Sequence, residues 1–224
     1  MGRAIGDILP MAVGVALSPV PIIAIVLMLG TPRAKANGPA FAFGWLIGLS
    51  IAGGVVLSLA GGRAEDDGDG PATWVSLVNL VFGMLFVVVA ARTWLGRPRG
   101  GDEAEMPKWM QAIDTFKAGK SFAAGIVLSG LNPKNLALTI AAAATIAGAG
   151  ISTGEEIGTL AVFILLGSVS ILAPLGIYFA MGSRAVTVLG ALKTWMAAHN
   201  AAIMTVLLLV LGAKLIGDAI AGLS

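Results

Sequence analysis

Six long apolar segments divide this chain, and they restrict its fold more than any other feature. They cover residues 5–29, 39–60, 72–95, 122–147, 157–181 and 201–223. Each has the length of about 20 residues that an α-helix needs to cross a hydrocarbon core about 30 Å thick. Because 57% of the residues are hydrophobic and only 12% are charged, a soluble domain would have too little interior to bury them. The sequence therefore predicts an all-α integral membrane protein with six transmembrane helices.

The basic residues between these segments are distributed unevenly between the two sides of the membrane. One side would carry Arg3, Arg63 and Lys214, together with an acidic run at residues 65–69 and the pair Glu155 and Glu156. The other side would carry Arg33, Lys35, Arg92, Arg97, Arg99, Lys108, Lys117, Lys120, Arg184 and Lys193. Since loops rich in Lys and Arg stay in the cytoplasm, we expect a multi-pass protein of the cytoplasmic (inner) membrane with both termini outside. If one segment were re-entrant, five spans would remain and the C-terminus would lie inside.

The chain lacks the residue combinations that most catalytic and metal sites need. It has no cysteine and a single histidine, His199, so neither a thiol site nor a histidine metal cluster can form. It has no Gly-rich phosphate loop, and a serine–lysine hydrolase built from Ser18 or Ser129 with Lys134 has no supporting motif. The basic residues form no continuous face for nucleic acid. We therefore expect no enzyme, no cofactor and no nucleic-acid partner.

The fourth apolar segment contains residues that do not suit the centre of a membrane helix. Asn132, Pro133, Lys134 and Asn135 follow one another in its middle. A lysine costs about 3 kcal/mol at this depth on insertion scales. A proline removes one backbone donor and collides with the carbonyl group four residues earlier. Two penalties at one place indicate a helix break with a function.

The first half of the chain resembles the second. Ala16-Leu-Ser-Pro-Val-Pro21 lies in the middle of the first segment as Gly130-Leu-Asn-Pro-Lys-Asn135 lies in the middle of the fourth. Each half holds three spans, so the second half must enter the membrane from the opposite side. This predicts a 3+3 inverted-topology repeat with proline-broken helices 1 and 4, an arrangement typical of secondary transporters. The predicted units are residues 1–98, a cytoplasmic linker at 99–121 with an interfacial helix, and residues 122–224.

The two matched breaks define a candidate site for a substrate or a coupling ion. Lys134 and the half-helix N-terminus that follows Pro133 favour an anionic or strongly polar group. The other candidate residues are Ser18, Pro19, Pro21, Asn132, Asn135 and Thr139. Three roles for Lys134 stay open: it binds substrate, it couples export to a proton gradient by losing its proton, or it bonds to carbonyl groups freed by the broken first helix.

Lys214 and Asp218 form a secondary candidate near the end of the last segment. Their i, i+4 spacing allows a pair on one helix face. Such a pair either extends toward the membrane surface, as long charged side chains do near helix ends, or takes part in proton transfer.

Two connecting stretches have the apolar periodicity of helices that lie in the membrane interface. In residues 106–120, the side chains of Trp109, Ile113 and Phe116 share one face. The second stretch contains Val186, Leu189, Leu192, Trp195 and Met196. Ordinary packing against the bundle would produce the same pattern.

Small residues recur at every fourth position in two segments. They are Ala40, Gly44, Gly48 and Ala52 in the second segment, and Ala213, Gly217 and Ala221 in the sixth. Such stripes let helix backbones approach closely, either within one subunit or across a dimer.

The motif at the fourth segment resembles a known family of membrane proteins. Asn132-Pro-Lys-Asn-Leu136, preceded by Met106-Pro-Lys-Trp109 and mirrored by Leu17-Ser-Pro-Val-Pro21, is similar to the GAP/Sap group of the lysine-exporter (LysE) superfamily. These lipid-addressing proteins are named for export of glycopeptidolipid and sulfolipid in lipid-rich bacterial envelopes. The resemblance covers nearly the whole chain. It implies a six-helix inverted-repeat exporter, frequently dimeric, without its own nucleotide hydrolysis.

Residue pattern and resemblance together favour a secondary exporter that moves an amphipathic or anionic molecule outward. An envelope lipid or glycolipid is the first expectation for its substrate. The expected partners are membrane lipids, a small-molecule or lipid substrate, a second copy of the chain and lipid-export machinery. The alternatives are an amino-acid or ion exporter of the same superfamily, and a non-transporting membrane scaffold that assists a separate lipid-export machine.

Overall fold

The computed structural model describes residues 1–61, 73–97 and 112–223, and every regular element within them is helical. The α-helices are α1 (Gly2–Ala16), α2 (Pro19–Leu29), α3 (Ala34–Gly61), α4 (Thr73–Leu95), α5 (Ala118–Ile126), α6 (Pro133–Ala147), α7 (Thr153–Met181) and α8 (Ser183–Leu223). A 3₁₀ turn at Ile113–Thr115 precedes α5, and a π-helical turn at Val127–Leu131 follows it. The expected all-α class is confirmed for this part of the chain.

Several of these helices are long and apolar enough to cross a membrane. They are α3, α4, α7 and α8, and the pair α1 and α2 qualifies as a fifth span that is bent by 52° at its break. The fourth apolar segment is divided among α5, the π turn and α6, and none of these pieces reaches the length of about 20 residues that one span needs. The chain is therefore a multi-pass membrane protein, while a sixth span stays a prediction.

Large apolar side chains cover the outside of the helical bundle. Leu59 and Leu95 are 68% and 69% exposed, and Val81 and Val210 are 59% and 62% exposed. A water-soluble surface rarely carries so much contiguous apolar area. Lipid chains are the environment that suits this surface, since the backbone polar groups beneath it are satisfied within helices.

Helix α6 lies at the centre of the bundle and so positions the residues of the second break. Ala141, Ala142, Ala143 and Ala144 are all fully buried, and four successive helical residues face all sides of a helix. The helix packs against α1, α3, α4 and α7. Small alanine side chains allow these neighbours to come close.

Glycines bring α3 against α5 and the π turn. A Cβ atom on Gly44 would overlap the Phe122 carbonyl oxygen, and one on Gly125 would overlap the Phe41 carbonyl oxygen. A Cβ atom on Gly130 would lie 2.9 Å from the carbonyl oxygen of Gly48. The small-residue stripe of the second segment therefore packs within the subunit. The stripe of the sixth segment differs, because Ala213 and Gly217 are exposed on α8, and Ala221 lines a cavity at the end of the bundle.

The two stretches expected to form interfacial helices differ from each other over the residues that the structure describes. Phe116 has φ −67° and ψ 142°, and Lys117 has φ −107° and ψ 166°, so the chain is extended there and no single helix runs through residues 106–120. Ile113 is buried in the core, and Trp109 lies outside the described residues. The second stretch is part of α8, which continues unbroken over 41 residues. A helix therefore covers this stretch and continues into the last span, while its position in the membrane interface stays a prediction.

Loops that the charge distribution assigns to the same side of the membrane also contact each other in the structure. At one end, the Arg33 and Asn37 side chains donate to the Phe116 carbonyl oxygen at 3.4 and 3.1 Å. At the other end, the amino group of Met1 lies 3.7 Å from a carboxylate oxygen of Glu155. Arg63, the acidic run at residues 65–69, Arg99 and Lys108 lie outside the described residues.

Candidate functional site

The first helix break lies between α1 and α2, at Leu17 and Ser18. Pro19 and Pro21 have no N–H groups, so the carbonyl groups of Val15 and Leu17 lose the partners that a continuous helix would provide. Ser18 precedes a proline and is extended, with φ −107° and ψ 98°. Helix α1 therefore ends inside the bundle with carbonyl oxygens that lack helical partners, at the negative end of its dipole.

The second break repeats this geometry at the start of α6. Asn132 is extended, with φ −67° and ψ 121°, and it precedes Pro133 at a position where proline suits a helix. The side-chain oxygen of Asn132 accepts the backbone N–H of Lys134 at 3.1 Å, which caps the helix. Pro133 cannot donate to the Ser129 carbonyl group, and the chain before it winds into the π turn.

The Lys134 side chain joins the second break to the first. Its ammonium group donates to the Gly14 carbonyl oxygen at 2.7 Å, to the Leu17 carbonyl oxygen at 3.4 Å and to the Ser18 hydroxyl oxygen at 2.6 Å. A lysine ammonium group has three donors, and these three acceptors use all of them. The positive charge therefore lies at the C-terminal end of α1, where the helix dipole favours a cation.

Ser18 and Asn135 continue this network. The Ser18 hydroxyl group donates to the side-chain oxygen of Asn135 at 2.9 Å, and the Asn135 amide nitrogen donates to the Leu128 carbonyl oxygen in the π turn at 2.9 Å. Both side chains are buried, at 3% and 0% exposure. Lys134 therefore binds carbonyl groups at the first break, and Asn135 binds a carbonyl group in the π turn of the second break. We call Ser18, Lys134 and Asn135 the break cluster.

The structure brings together most of the residues that the sequence selected. The three residues of the break cluster are in direct contact, Asn132 caps the same helix, and Pro19 and Pro21 are buried in α2. The Thr139 hydroxyl group donates to the Asn135 carbonyl oxygen at 2.8 Å, so its donor is used within α6. Of the three roles left open for Lys134, the bond to freed carbonyl groups is the one present in this conformation.

Removal of the cap at the second break is expected to weaken the fold. In Asn132→Ala, the Lys134 N–H loses its acceptor, and we expect a loss of about 1 kcal/mol in the free energy of unfolding. Thermal unfolding of the purified protein in detergent measures this change. Asn132→Ser keeps a capping oxygen and should retain most of the stability. Equal unfolding temperatures for Asn132→Ala and the unaltered protein would contradict the assignment of the cap.

Lys214 and Asp218 line a polar cavity at the end of the bundle that also holds Met1. Their side chains form an ion pair and are 26% and 39% exposed. The cavity has a volume of about 490 Å³. It lies far from the break cluster, because Thr145, which also lines it, is about 16 Å farther along α6 than Lys134. The secondary candidate therefore belongs to a separate place in the bundle.

Four further residues of this cavity were missed by sequence reasoning. They are Arg3 and Asp7 on α1, and Ser76 and Asn79 on α4. Two signals could have found them. Arg3 and Asp7 have the same i, i+4 spacing as Lys214 and Asp218, and Ser76 and Asn79 are one helical turn apart in an otherwise apolar span.

One comparison with known proteins gives a match that covers almost the whole chain. Residues 8–221 match the family model described as Sap, sulfolipid-1-addressing protein. The chain belongs to the Sap family. This confirms the resemblance to the lipid-addressing group. No curated protein and no solved structure matches the chain.

The Sap match includes the break cluster and the Lys214–Asp218 pair. It begins immediately after Asp7, so the residues of α1 that line the polar cavity, Arg3 and Asp7 among them, precede the matched residues. Placement of this Sap-family chain in the wider lysine-exporter superfamily stays a prediction.

Proposed function

We propose that this Sap-family protein is a secondary exporter that moves an envelope lipid or glycolipid outward across the cytoplasmic membrane without hydrolysing ATP. The observation that carries the proposal is the break cluster, in which two proline-broken helices meet and exchange side-chain bonds. Secondary transporters place substrate and ion sites at such meeting points, because freed backbone groups inside a membrane need polar partners. The family name, sulfolipid-1-addressing protein, supports an amphipathic lipid that bears an anionic group.

The packing of the helices supports an inverted repeat of three plus three spans. Under this repeat, α1 and α2 correspond to α5 and α6, α3 to α7, and α4 to α8. Helix α1 packs against α7 as α5 packs against α3, and α4 pairs with α8. Exchange of the two halves converts the first two pairs into each other and leaves the third unchanged. In this arrangement the fourth apolar segment, like the first, is one span with a break in its middle. The total is then six spans.

The loop contacts support the proposed orientation. The bond from Arg33 to the segment before α5 places two basic loops at one end of the bundle, and this end is assigned to the cytoplasm. The pairing of Met1 with Glu155 places the N-terminus and the α6–α7 loop at the opposite end. Both termini would then lie outside.

Lys134 has a defined role in this proposal. In alternating access, one repeat moves against the other around a central site. The three bonds of Lys134 join α6 in the second half to the end of α1 in the first half. They hold the halves together in the conformation described here, so the halves can move against each other only after these bonds are broken.

The proposal includes no chemical change to the lipid, and so no catalytic residue and no cofactor. A second copy of the chain is a proposed partner, because the small exposed residues Ala213 and Gly217 on α8 suit close helix contact between subunits. Other lipid-export machinery is a proposed partner on the outer side.

Flux of a labelled lipid tests the transport proposal. We expect liposomes that contain the protein to move a fluorescent sulfated glycolipid between leaflets, faster with an imposed ion gradient than without one. Dithionite quenching of the fluorophore measures the leaflet distribution. Protein-free liposomes and a fluorescent phosphatidylcholine serve as controls. Absence of protein-dependent flux, together with retained binding to an export partner, would favour the scaffold; efflux of labelled lysine instead of lipid would favour an amino-acid exporter.

A further inference from the structure

The floor of the polar cavity contains an amide oxygen that no group in the described part of the chain satisfies. Asn79 is only 4% exposed, and its side-chain oxygen has no hydrogen-bond partner among the described residues. Ser76, one turn earlier on α4, is 2% exposed and lines the same floor. A buried acceptor without a partner destabilises a protein, and such atoms call for an explanation such as a functional role. A ligand with a hydroxyl group would supply the missing donor.

The rim of the cavity carries balanced charge. Its charged side chains are two cations and two carboxylates, namely Arg3, Lys214, Asp7 and Asp218. The amino group of Met1, which also lines the cavity, is paired with Glu155. A sulfate or phosphate group would be repelled by the two carboxylates as much as it is attracted by the cations. A sugar suits this rim better, because each hydroxyl group both donates and accepts hydrogen bonds. The volume of about 490 Å³ is within the range of small-molecule sites.

An apolar groove of about 510 Å³ follows this cavity along the same two helices. Helix α1 contributes Pro10, Val13 and Leu17, and α8 contributes Val206 and Val210 among other residues. Apart from Trp195 and His199, the lining is aliphatic, which suits a hydrocarbon chain better than a sugar.

The cavity and the groove lie on one face of each helix. On α1, the lining residues Arg3, Asp7, Pro10, Gly14 and Leu17 follow the three–four spacing that keeps side chains on one side. The corresponding residues on α8 are Ile203, Val206, Val210, Lys214 and Asp218. The polar cavity and the apolar groove are therefore consecutive parts of a single cleft between α1 and α8.

The groove also reaches the break cluster. The carbonyl oxygens of Gly14 and Leu17 accept hydrogen bonds from Lys134, and the same two residues line the groove. A chain lying in the groove would therefore contact the end of α1 that Lys134 holds.

We propose that the α1–α8 cleft binds one lipid molecule, with a sugar head group in the polar cavity and an acyl chain in the apolar groove. The inference rests on the proposed function, since it names where the exported lipid is held and which part of it is recognised. Asn79 and Ser76 bind sugar hydroxyl groups at the floor, and the charged residues bind them at the rim. The aliphatic side chains of α1 and α8 cover the acyl chain.

Binding of octyl glucoside tests the polar part of this site. The protein is purified in a polyoxyethylene-ether detergent, because sugar-based detergents would occupy the cleft, and equilibrium dialysis measures binding of the radiolabelled glucoside. Asn79→Leu keeps the side-chain shape without the acceptor, so we expect about tenfold weaker binding. Its unfolding temperature should stay equal or rise, because an unsatisfied buried acceptor is removed. Octyl sulfate should bind the unaltered protein more weakly than octyl glucoside.

Matched variants separate the site from general effects. Thr205 on α8 is 7% exposed, and its hydroxyl group also lacks a partner among the described residues, so Thr205→Val should leave octyl glucoside binding unchanged. Val206→Trp fills the groove at a residue that is 62% exposed, and it should weaken octyl glucoside binding but not methyl glucoside binding. Val169→Trp, at a residue on α7 that is 52% exposed, should weaken neither.

Two results would overturn the inference. One is equal octyl glucoside binding by Asn79→Leu and the unaltered protein; the other is tighter binding of octyl sulfate than of octyl glucoside, which would make the cavity an anion site. If lipid flux is absent while Asn79→Leu still weakens binding, the lipid site stands and the transport proposal fails.

Discussion

Replacement of Lys134 by Met is expected to abolish lipid flux and to weaken the joint between the two halves. The variant leaves the Gly14 and Leu17 carbonyl oxygens without their ammonium partner inside the membrane. Hydrogen bonds to charged groups contribute about 1.5–3 kcal/mol, so we expect the free energy of unfolding to fall by about 2–3 kcal/mol. We expect flux to fall to the level of protein-free liposomes, because the bonds that join the two halves are lost. Thermal unfolding and the liposome assay measure the two effects.

Two other variants test whether Lys134 acts by joining the halves. Lys35→Met removes an exposed lysine on α3 and should change neither unfolding nor flux. Lys134→Arg keeps the charge, but its planar fork does not match three convergent acceptors, so we expect intermediate stability and low flux. An unaltered unfolding temperature in Lys134→Met with lost flux would assign Lys134 to substrate or proton binding instead. Normal flux in this variant would remove Lys134 from the mechanism.

The two helix breaks could be predicted from the sequence because proline acts locally. Pro19 and Pro133 each remove an N–H group and extend the residue before them, and Ser18 and Asn132 are extended in the structure. The match between the two breaks made contact between them a reasonable expectation. The small-residue stripe at Gly44 also predicted a close helix contact, although its partner, α5, could not be named.

The direction of the Lys134 side chain could not be predicted from the sequence. It depends on where α1 ends relative to α6, which is a result of tertiary packing. The polar cavity is even harder to predict from the sequence, because its residues come from α1, α4, α6 and α8. Each of them alone resembles an ordinary polar residue near a helix end. The periodicity of residues 186–196 predicted a helix, but its continuation into the last span could not be predicted, since an amphipathic stretch and an apolar span form either two helices or one.

Gly125→Ala is expected to have the largest effect on folding, although it adds only one methyl group. The new Cβ atom would overlap the Phe41 carbonyl oxygen and lie 2.7 Å from the Trp45 backbone nitrogen. Backbone atoms of α3 cannot rotate away as a side chain can, so α3 and α5 would have to separate. Overpacking typically costs about 1–3 kcal/mol and occasionally more. We expect a loss at or above the upper end of this range, measured as thermal unfolding in detergent or as loss of folded protein.

Gly54→Ala on α3 is the matched control for this variant. No heavy atom lies within 4 Å of a Cβ atom at Gly54, and alanine favours a helix over glycine by about 1 kcal/mol, so the unfolding temperature should stay equal or rise. If Gly125→Ala unfolded at the same temperature as Gly54→Ala, α3 and α5 could not be in backbone contact. The π turn would then lose the support of α3, and with it the position of Leu128 that orients Asn135 in the break cluster.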